Sequence, residues 1–256
     1  MTEVVPSYTA EQVRSAERPL IDAGVPLMQR AAAALAAVIR DELEADDAAA
    51  TTTGALEPVP LDAAHALRPR VLVLAGSGDN GADALFAAAA LTRVADVDVL
   101  LVSERFHGAA LAAAVAAGAR RVELSEADDG LHHYALLVDG ILGIGASSDP
   151  ALRGGARRAV AALSETRRKS GRMPRVIAVD LPSGLHPDTG AADDAVLPAS
   201  VTVTFGALKA GLVTERGREL SGEIVLVDIG LGPALEPMSA AGEASVSRVM
   251  TAPGNP

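Results

Sequence analysis

The sequence predicts an α/β chain: a three-layer α/β/α sandwich around a largely parallel sheet. Three observations predict it. Apolar runs suited to buried strands, such as Val71-Leu72-Val73-Leu74, Ala135-Leu136-Leu137-Val138 and Val176-Ile177-Ala178-Val179, recur along the chain. Stretches of helical period alternate with them, which places helices on both faces of a parallel sheet. Two of the runs discharge into loops of small and oxygen-bearing residues, Gly76-Ser77-Gly78-Asp79-Asn80-Gly81-Ala82-Asp83 and Asp180-Leu181-Pro182-Ser183-Gly184. In an open α/β sheet the carboxyl ends of neighbouring strands face one crevice, and ligands bind there.

In chain order, Thr9 before Ala10-Glu11-Gln12 reads as a helix N-cap with an acid in the first turn. A second helix is expected over 26–43, where Leu27, Ala31, Ala34, Leu35 and Val38 share a face. From Glu44 to Pro69 the texture turns to Asp, Ala, Thr and Pro, which reads as a mobile surface insertion over 44–69. Strands are then expected near 70–75, 97–103, 134–138, 175–180, 200–205 and 223–228, with helices near 82–93, 107–117 and 153–169. The domain is expected to span 1–235, leaving the Pro-, Gly-, Ala- and Ser-rich 236–256 as a tail or linker.

At 256 residues, one large α/β domain with a substantial core is the natural reading. An apolar fraction of 49% excludes disorder of the whole. The net charge of −11 argues against a nucleic-acid partner, which requires a basic footprint. It also leaves any dinucleotide to be held by local donors against an unfavourable global field. With no cysteine there is no disulfide, thiolate nucleophile or zinc–thiolate site. Redox logic leaves the compartment open, and a cytoplasmic enzyme is compatible with it. Met1-Thr2-Glu3 opens a terminus without signal-peptide design, and the small-apolar run Ala109 to Ala117 falls short of the ~18 residues of a membrane span. A soluble protein without a membrane partner is expected. No Trp, two Tyr and three Phe leave almost no aromatic surface for stacking a base.

Gly76 to Asp83 satisfies a literal G-x-G-x-x-G, with Glu104 at the distance of a ribose-binding acid, so an NAD(P)-dependent Rossmann oxidoreductase is one open reading. A plain strand-to-helix turn would need only glycines at positive φ. Asn80 and Asp83 add polar groups that such a turn does not require, although Asp83 also suits a first-turn acid facing the helix dipole. Asp139 ends a buried-strand pattern and is followed by Gly143, Gly145, Ser147 and Ser148, a loop suited to wrapping a ligand. Asp180 ends the most apolar local strand, where a buried carboxylate requires donors around it, and Pro182 stiffens the chain behind it. Ser183 lacks the G-x-S-x-G elbow and a placed histidine base, so it is no hydrolase nucleophile. His132-His133 do not share a face and make no zinc pair, and His186 reads as a turn residue. Lys209, after a strand, can reach the same edge or stand in solvent.

Taken in order, these segments resemble the NAD(P)H-hydrate epimerase family, the YjeF N-terminal domain. The family's first loop, G-x-G-N-N-G-G-D-G, is matched by Gly76, Gly78, Asn80, Gly81 and Asp83, with Asp79, Ala82 and Ala84 as departures. Its glycine-rich second loop behind an aspartate is matched by Asp139-Gly140-Ile141-Leu142-Gly143-Ile144-Gly145. Its third is matched by Asp180 to Gly184 with Asp188-Thr189-Gly190, and a fourth match is Thr202-Val203-Thr204-Phe205 with Lys209-Ala210-Gly211-Leu212. Glu11-Gln12-Val13-Arg14 and Leu27-Met28-Gln29-Arg30-Ala31 are similar to its opening helices.

The resemblance implies a Rossmann-like fold and an isomerase that interconverts the R and S epimers of hydrated NADH or NADPH, a cofactor-repair reaction. It implies substrate contacts along Asp79, Asn80, Gly81, Ala82 and Asp83, along Gly143, Ile144, Gly145, Ala146, Ser147, Ser148 and Asp149, and at Asp180. It further implies a potassium ion on Asn80, Asp139 and Ser183. The reacting carbon bears both the added hydroxyl and the ring nitrogen, a carbinolamine. Such a centre epimerises by loss and re-addition of water through an iminium, or by ring opening and closure. One carboxyl group, here Asp180, can deliver and recover the proton, and Lys209 is a second catalytic candidate by its match to the family's lysine. Ala82 and Ala84 put methyls where the family has glycine and favour another open reading, a non-catalytic nucleotide-binding or interaction module of the same fold. A homo-oligomer and a dehydratase partner, fused or separate, are left open.

Overall fold

The computed structural model describes residues 3–52, 68–145, 149–170 and 174–254. It opens on a strand that the sequence reading did not foresee, β1 (Glu3–Tyr8), followed by α1 (Ala10–Asp22) and α2 (Leu27–Thr52). Thr9 caps α1 as expected. Its Oγ1 accepts from Gln12 N at 3.3 Å while Gln12 Oε1 accepts from Thr9 N at 2.9 Å, a reciprocal capping box. The second helix runs on to Thr52, into the stretch expected as an insertion. Alanine and glutamate between 44 and 50 are good helix formers and carry it forward. The remainder of that expected insertion, 53–67, lies outside the described residues.

Next come β2 (Arg70–Ala75), α3 (Asp79–Leu91), β3 (Asp96–Leu101), α4 (Gly108–Ala117), β4 (Arg120–Arg121), α5 (Leu124–Asp129), β5 (Leu136–Gly140), α6 (Gly154–Ser170) and β6 (Arg175–Val179). The chain continues through β7 (Val201–Phe205), β8 (Leu208–Lys209), α7 (Glu215–Ser221), β9 (Glu223–Asp228), α8 (Gly232–Leu235), β10 (Gly242–Val246) and β11 (Arg248–Thr251). Eight strands form one sheet in the order β11-β9-β7-β6-β5-β2-β3-β4, every ladder parallel. A small second sheet, β10-β1-β8, packs beside it.

Side chains alternate across the strands and fill two layers. Val71, Val73 and Ala75 of β2 face Leu35, Val38 and Ile39 of α2 and Leu85 and Ala88 of α3. Leu72 and Leu74 face the other way, onto Val160 and Leu163 of α6 and Ala127 of α5. This is the three-layer α/β/α sandwich the sequence predicts. Among the described residues no helix is long and apolar enough to cross a membrane.

The expected tail beyond 235 is not a tail. β10 pairs antiparallel with β1, and β11 extends the large sheet beside β9. Both are short and partly exposed, so they lack the apolar runs that mark central strands. Edge pairing, not composition, makes them part of the fold.

At the far edge, Asp98 of β3 is 5% exposed and accepts from Arg70 Nη2 at 2.6 Å, Tyr134 Oη at 2.7 Å and Arg120 Nε at 2.9 Å. Burial pushes its carboxyl up, but bonds from Arg120, Tyr134 and Arg70 outweigh burial and hold it below the ordinary range. Asp98→Ala is expected to remove about 2 kcal/mol at neutral pH, the order of charge-assisted bonds discounted for half-exposed Arg120. A depressed carboxyl pKa stabilises above the unfolded value and loses that stabilisation as pH falls through the folded one. Urea unfolding of both proteins should therefore show the penalty shrinking progressively as pH falls below about 4.

From β2 the chain first moves outward to β3 and β4, then returns to place β5 on the other side of β2. The switch point therefore lies between β2 and β5, and their carboxyl ends open the crevice.

Candidate active site

Three loops meet at that crevice: 76–78 after β2, 141–145 after β5, and 180–190 after β6. The first two are locked by close approach. A Cβ on Gly76 would lie 1.9 Å from Ile141 O, and one on Gly81 would lie 2.3 Å from Gly76 O. Neither they nor Gly78 adopt positive φ, so the glycines answer to packing, not to turn conformation. Gly78 differs: nothing stands within 4 Å of its missing side chain. It caps α3 with the helix N–H groups unencumbered, and exposed Asp79 follows. Ala82 and Ala84 sit in ordinary helical backbone and bury their methyls in the core. The Ala84 methyl is accommodated by Gly140, where a Cβ would meet it at 2.5 Å. Ala82 therefore offers a ligand only its backbone.

Asn80 is buried and donates from Nδ2 to Leu142 O at 3.1 Å and to Val179 O. Gly143 is glycine because a Cβ there would lie 2.2 Å from Asn80 Oδ1. Asp139, fully enclosed, accepts from Ser183 Oγ at 2.6 Å, Ser183 N at 2.9 Å and Ile141 N at 3.3 Å. Ser183 Oγ in turn accepts from Leu142 N at 2.9 Å. Asn80, Asp139 and Ser183 thus gather about the Leu142 peptide. Burial pushes the Asp139 carboxyl up, against the pull of its Ser183 and Ile141 bonds. The carboxylate oxygens of Asp139, Ser183 Oγ, Asn80 Oδ1 and the Leu142 carbonyl are the oxygen atoms here that could hold a hard, weakly polarising cation. Among the described residues no three His, Cys, Asp or Glu side chains gather for a transition metal.

Asp180 follows β6 at φ 69°, the one non-glycine residue at positive φ among the described residues. Its N–H donates to Val203 O at 2.7 Å. Its Oδ1 accepts from Lys209 Nζ, from Thr204 Oγ1 at 3.3 Å and from Phe205 N at 3.3 Å. Lys209 Nζ also donates to Phe205 O at 2.8 Å and Thr204 Oγ1 at 3.2 Å. The side chains of Lys209 and Asp180 are only 1% and 6% exposed, so this is a buried ion pair. Of the two places the sequence allows Lys209, sheet edge or solvent, the structure gives it the buried one, against Asp180.

Over these loops lies α1. Ala10 N donates to Asp188 Oδ1 at 2.6 Å and Arg14 Nη1 to Ile144 O at 2.6 Å, which ties the helix to the third and second loops. Its half-buried Glu17 feels Lys209, Asp180 and Asp79, and burial pushes its carboxyl up. Sequence reasoning missed Glu17. Its signal was an acid four residues beyond Val13, on the buried face formed by Ala10, Val13 and Ala16.

Asp149 is exposed and accepts from Ala151 N at 3.0 Å and from Arg153, bracing the start of α6. Ala146, Ser147 and Ser148 lie outside the described residues. His186 is the expected turn residue, its Nδ1 accepting from Asp188 N at 3.1 Å. Two open clefts, of about 460 Å³ beside Gly190 and Thr214 and about 480 Å³ among Arg68, Arg70 and Arg120, contain neither Asp180 nor Lys209.

A family model described as YjeF-related protein N-terminus matches residues 24–211. An NAD(P)H-hydrate epimerase of Microbacterium testaceum is 53% identical over 253 residues, covering 98% of this chain and 89% of its own. A bifunctional NAD(P)H-hydrate repair enzyme, Nnr, of Mycobacterium tuberculosis is 40% identical over 232 residues, 88% of this chain but 41% of that longer one. The crystal structure of the yeast protein ynu0 aligns at a TM-score of 0.64 and 17% identity, over 84% of this chain and 86% of its own, a likeness of fold.

Proposed function

The chain belongs to the family of the YjeF-related protein N-terminus, and from that membership we infer that it is an NAD(P)H-hydrate epimerase, an isomerase of damaged cofactor. The observation that supports the reading in this chain's own residues is the Asp180–Lys209 pair at the switch-point edge. Three donors converge on Asp180 Oδ1 and fix the carboxylate, while Oδ2 takes none of those bonds and can face the reacting centre. Held so, Asp180 can take a proton from the water that adds to the carbinolamine carbon and return it. Lys209 keeps the carboxylate in place and balances its charge. Dinucleotide phosphates find the open N–H groups at Gly78 and the start of α3.

The rival oxidoreductase reading rested on the glycine pattern, and close backbone packing accounts for Gly76, against Ile141 of the second loop, and for Gly81, against Gly76 of the first. The non-catalytic reading rested on Ala82 and Ala84, whose methyls lie in the core away from the crevice. A cytoplasmic location and a second repair activity, a dehydratase, in fused or separate form are parts of this reading.

Potassium belongs to it too. Asn80, Asp139 and Ser183 would hold the ion; when bound it would supply positive charge beside a substrate whose phosphates approach a chain of net charge −11. In potassium buffer the purified chain is expected to interconvert the two epimers of hydrated NADH and NADPH, read by epimer-resolving chromatography. In a bulky organic-cation buffer of equal ionic strength, substrate affinity should fall. Asn80→Ala and Asp139→Ala should lose affinity and cation dependence together. Equal wild-type affinity in the two buffers would remove the ion from the reading, and absence of interconversion would remove the activity.

A further inference from the structure

Asp83 takes no part in the chemistry above, yet it lies within the site. It is 7% exposed, and its Oδ1 has no hydrogen-bond partner. A buried carboxyl oxygen left unpaired is costly, so native proteins keep few of them. The helix fixes where it points. Asn80 lies three residues earlier on the same face of α3, and its Nδ2 reaches Val179 O, the carbonyl just before Asp180. Asp83 therefore looks onto the end of β6. The charged groups that act on it are all acids: Asp180 behind β6, Asp79 on α3 and Glu17 on α1. The cations of the site are engaged elsewhere, Lys209 by Asp180, Thr204 and Phe205, and Arg14 by Ile144 O.

We propose that Asp83 enters the reaction as the neutral acid that protonates the departing hydroxyl, with Asp180 as its basic counterpart. The inference rests on the epimerase reading and divides its proton transfer between two residues. Burial first, then the like charges of Asp180, Asp79 and Glu17, hold the Asp83 carboxyl well above the ordinary range. A neutral acid beside a carboxylate held in an ion pair, as Asp180 is by Lys209, is a recurrent way of separating acid from base. The proton of Asp83 passes to the carbinol oxygen. The C–O bond breaks with its electron pair on oxygen, and the ring-nitrogen lone pair forms the C=N bond of the iminium. Water then adds to the opposite face of the same carbon through an oxygen lone pair. Its surplus proton goes to Asp180 and from there back to Asp83. Water is the only co-reactant, and no electron acceptor is involved.

Asp83→Asn tests this directly, because an amide copies the shape of a neutral acid but has no proton to give. Its turnover of hydrated NADH should fall at least about 100-fold. Its melting temperature at neutral pH should be unchanged or higher, which a merely structural carboxyl would not give. Wild-type kcat should fall as pH rises through the raised Asp83 pKa, and the variant's residual rate should lack that alkaline limb. An infrared difference spectrum, wild type minus Asp83→Asn at neutral pH, should carry the carbonyl band of a protonated carboxyl. An ionised Asp83 in that spectrum overturns the proposal whether or not the variant is active. A wild type and a variant of similar turnover overturn it while leaving the epimerase reading intact. An inactive wild type overturns that reading and the proposal with it.

Discussion

Asp180→Asn is expected to lower turnover of hydrated cofactor by at least about 100-fold with the loop backbone unchanged. The choice of asparagine matters because Asp180 sits at φ 69°. Apart from glycine, asparagine and aspartate are the residues that visit the left-handed region most readily, so the variant keeps the native turn. Its amide oxygen can still accept from Phe205 N and Thr204 Oγ1, the neighbours that position Oδ1 now. What it loses is the ability to take up and return a proton. Asp180→Ala would be a poorer test, since it combines that loss with backbone strain of about 1–2 kcal/mol. Rates should be compared on protein matched for fold by circular dichroism. Near-normal turnover in folded Asp180→Asn would take Asp180 out of the chemistry.

The central architecture was legible because its signals are strong. Strands β2, β5 and β6 are buried on both faces and write themselves as apolar runs, while the equally buried β7 reads as the β-branched Val201-Thr202-Val203-Thr204. β1, β8 and β10 were not legible: they are short, half-exposed or polar, and exist because they pair with one another at a distance in sequence. The site divides in the same way. Its loops were readable because small and oxygen-bearing residues follow buried strands. The reason for their glycines was not, because a close approach such as Gly76 to Ile141 O is a property of two segments brought together. The compensation of Ala84 by Gly140 is likewise invisible until α3 lies on β5. Asp83 was recognisable as polar where a turn needs no polarity, but its missing partner belongs to the fold alone. Glu17 required knowing that α1 closes over the crevice.

Lys209→Met is expected to destabilise the fold by about 3–5 kcal/mol, because it leaves the Asp180 carboxylate buried without its cation. The lysine ammonium is enclosed by Asp180 Oδ1, Thr204 Oγ1 and Phe205 O, with its side chain 1% exposed. Its backbone also carries the pairing of β8 with β1, Lys209 standing opposite Tyr8, so disorder at this point would loosen the strand that leads into α1. Asp180→Asn makes the converse error and leaves Lys209 as the unmatched charge. The double variant Asp180→Asn/Lys209→Met buries neither, and methionine nearly fills the space of the lysine stem. It should be more stable than the sum of the single losses predicts, as replaced ion pairs often are. Its turnover should stay as low as that of Asp180→Asn, since restored packing does not restore a proton-transfer group. Urea unfolding of the four proteins gives the coupling, and epimer-resolved rates give the activity. Losses that add within about 0.5 kcal/mol would mean that the two side chains do not depend on one another. Recovery of turnover along with stability would mean that the pair serves the fold and that the proton moves elsewhere.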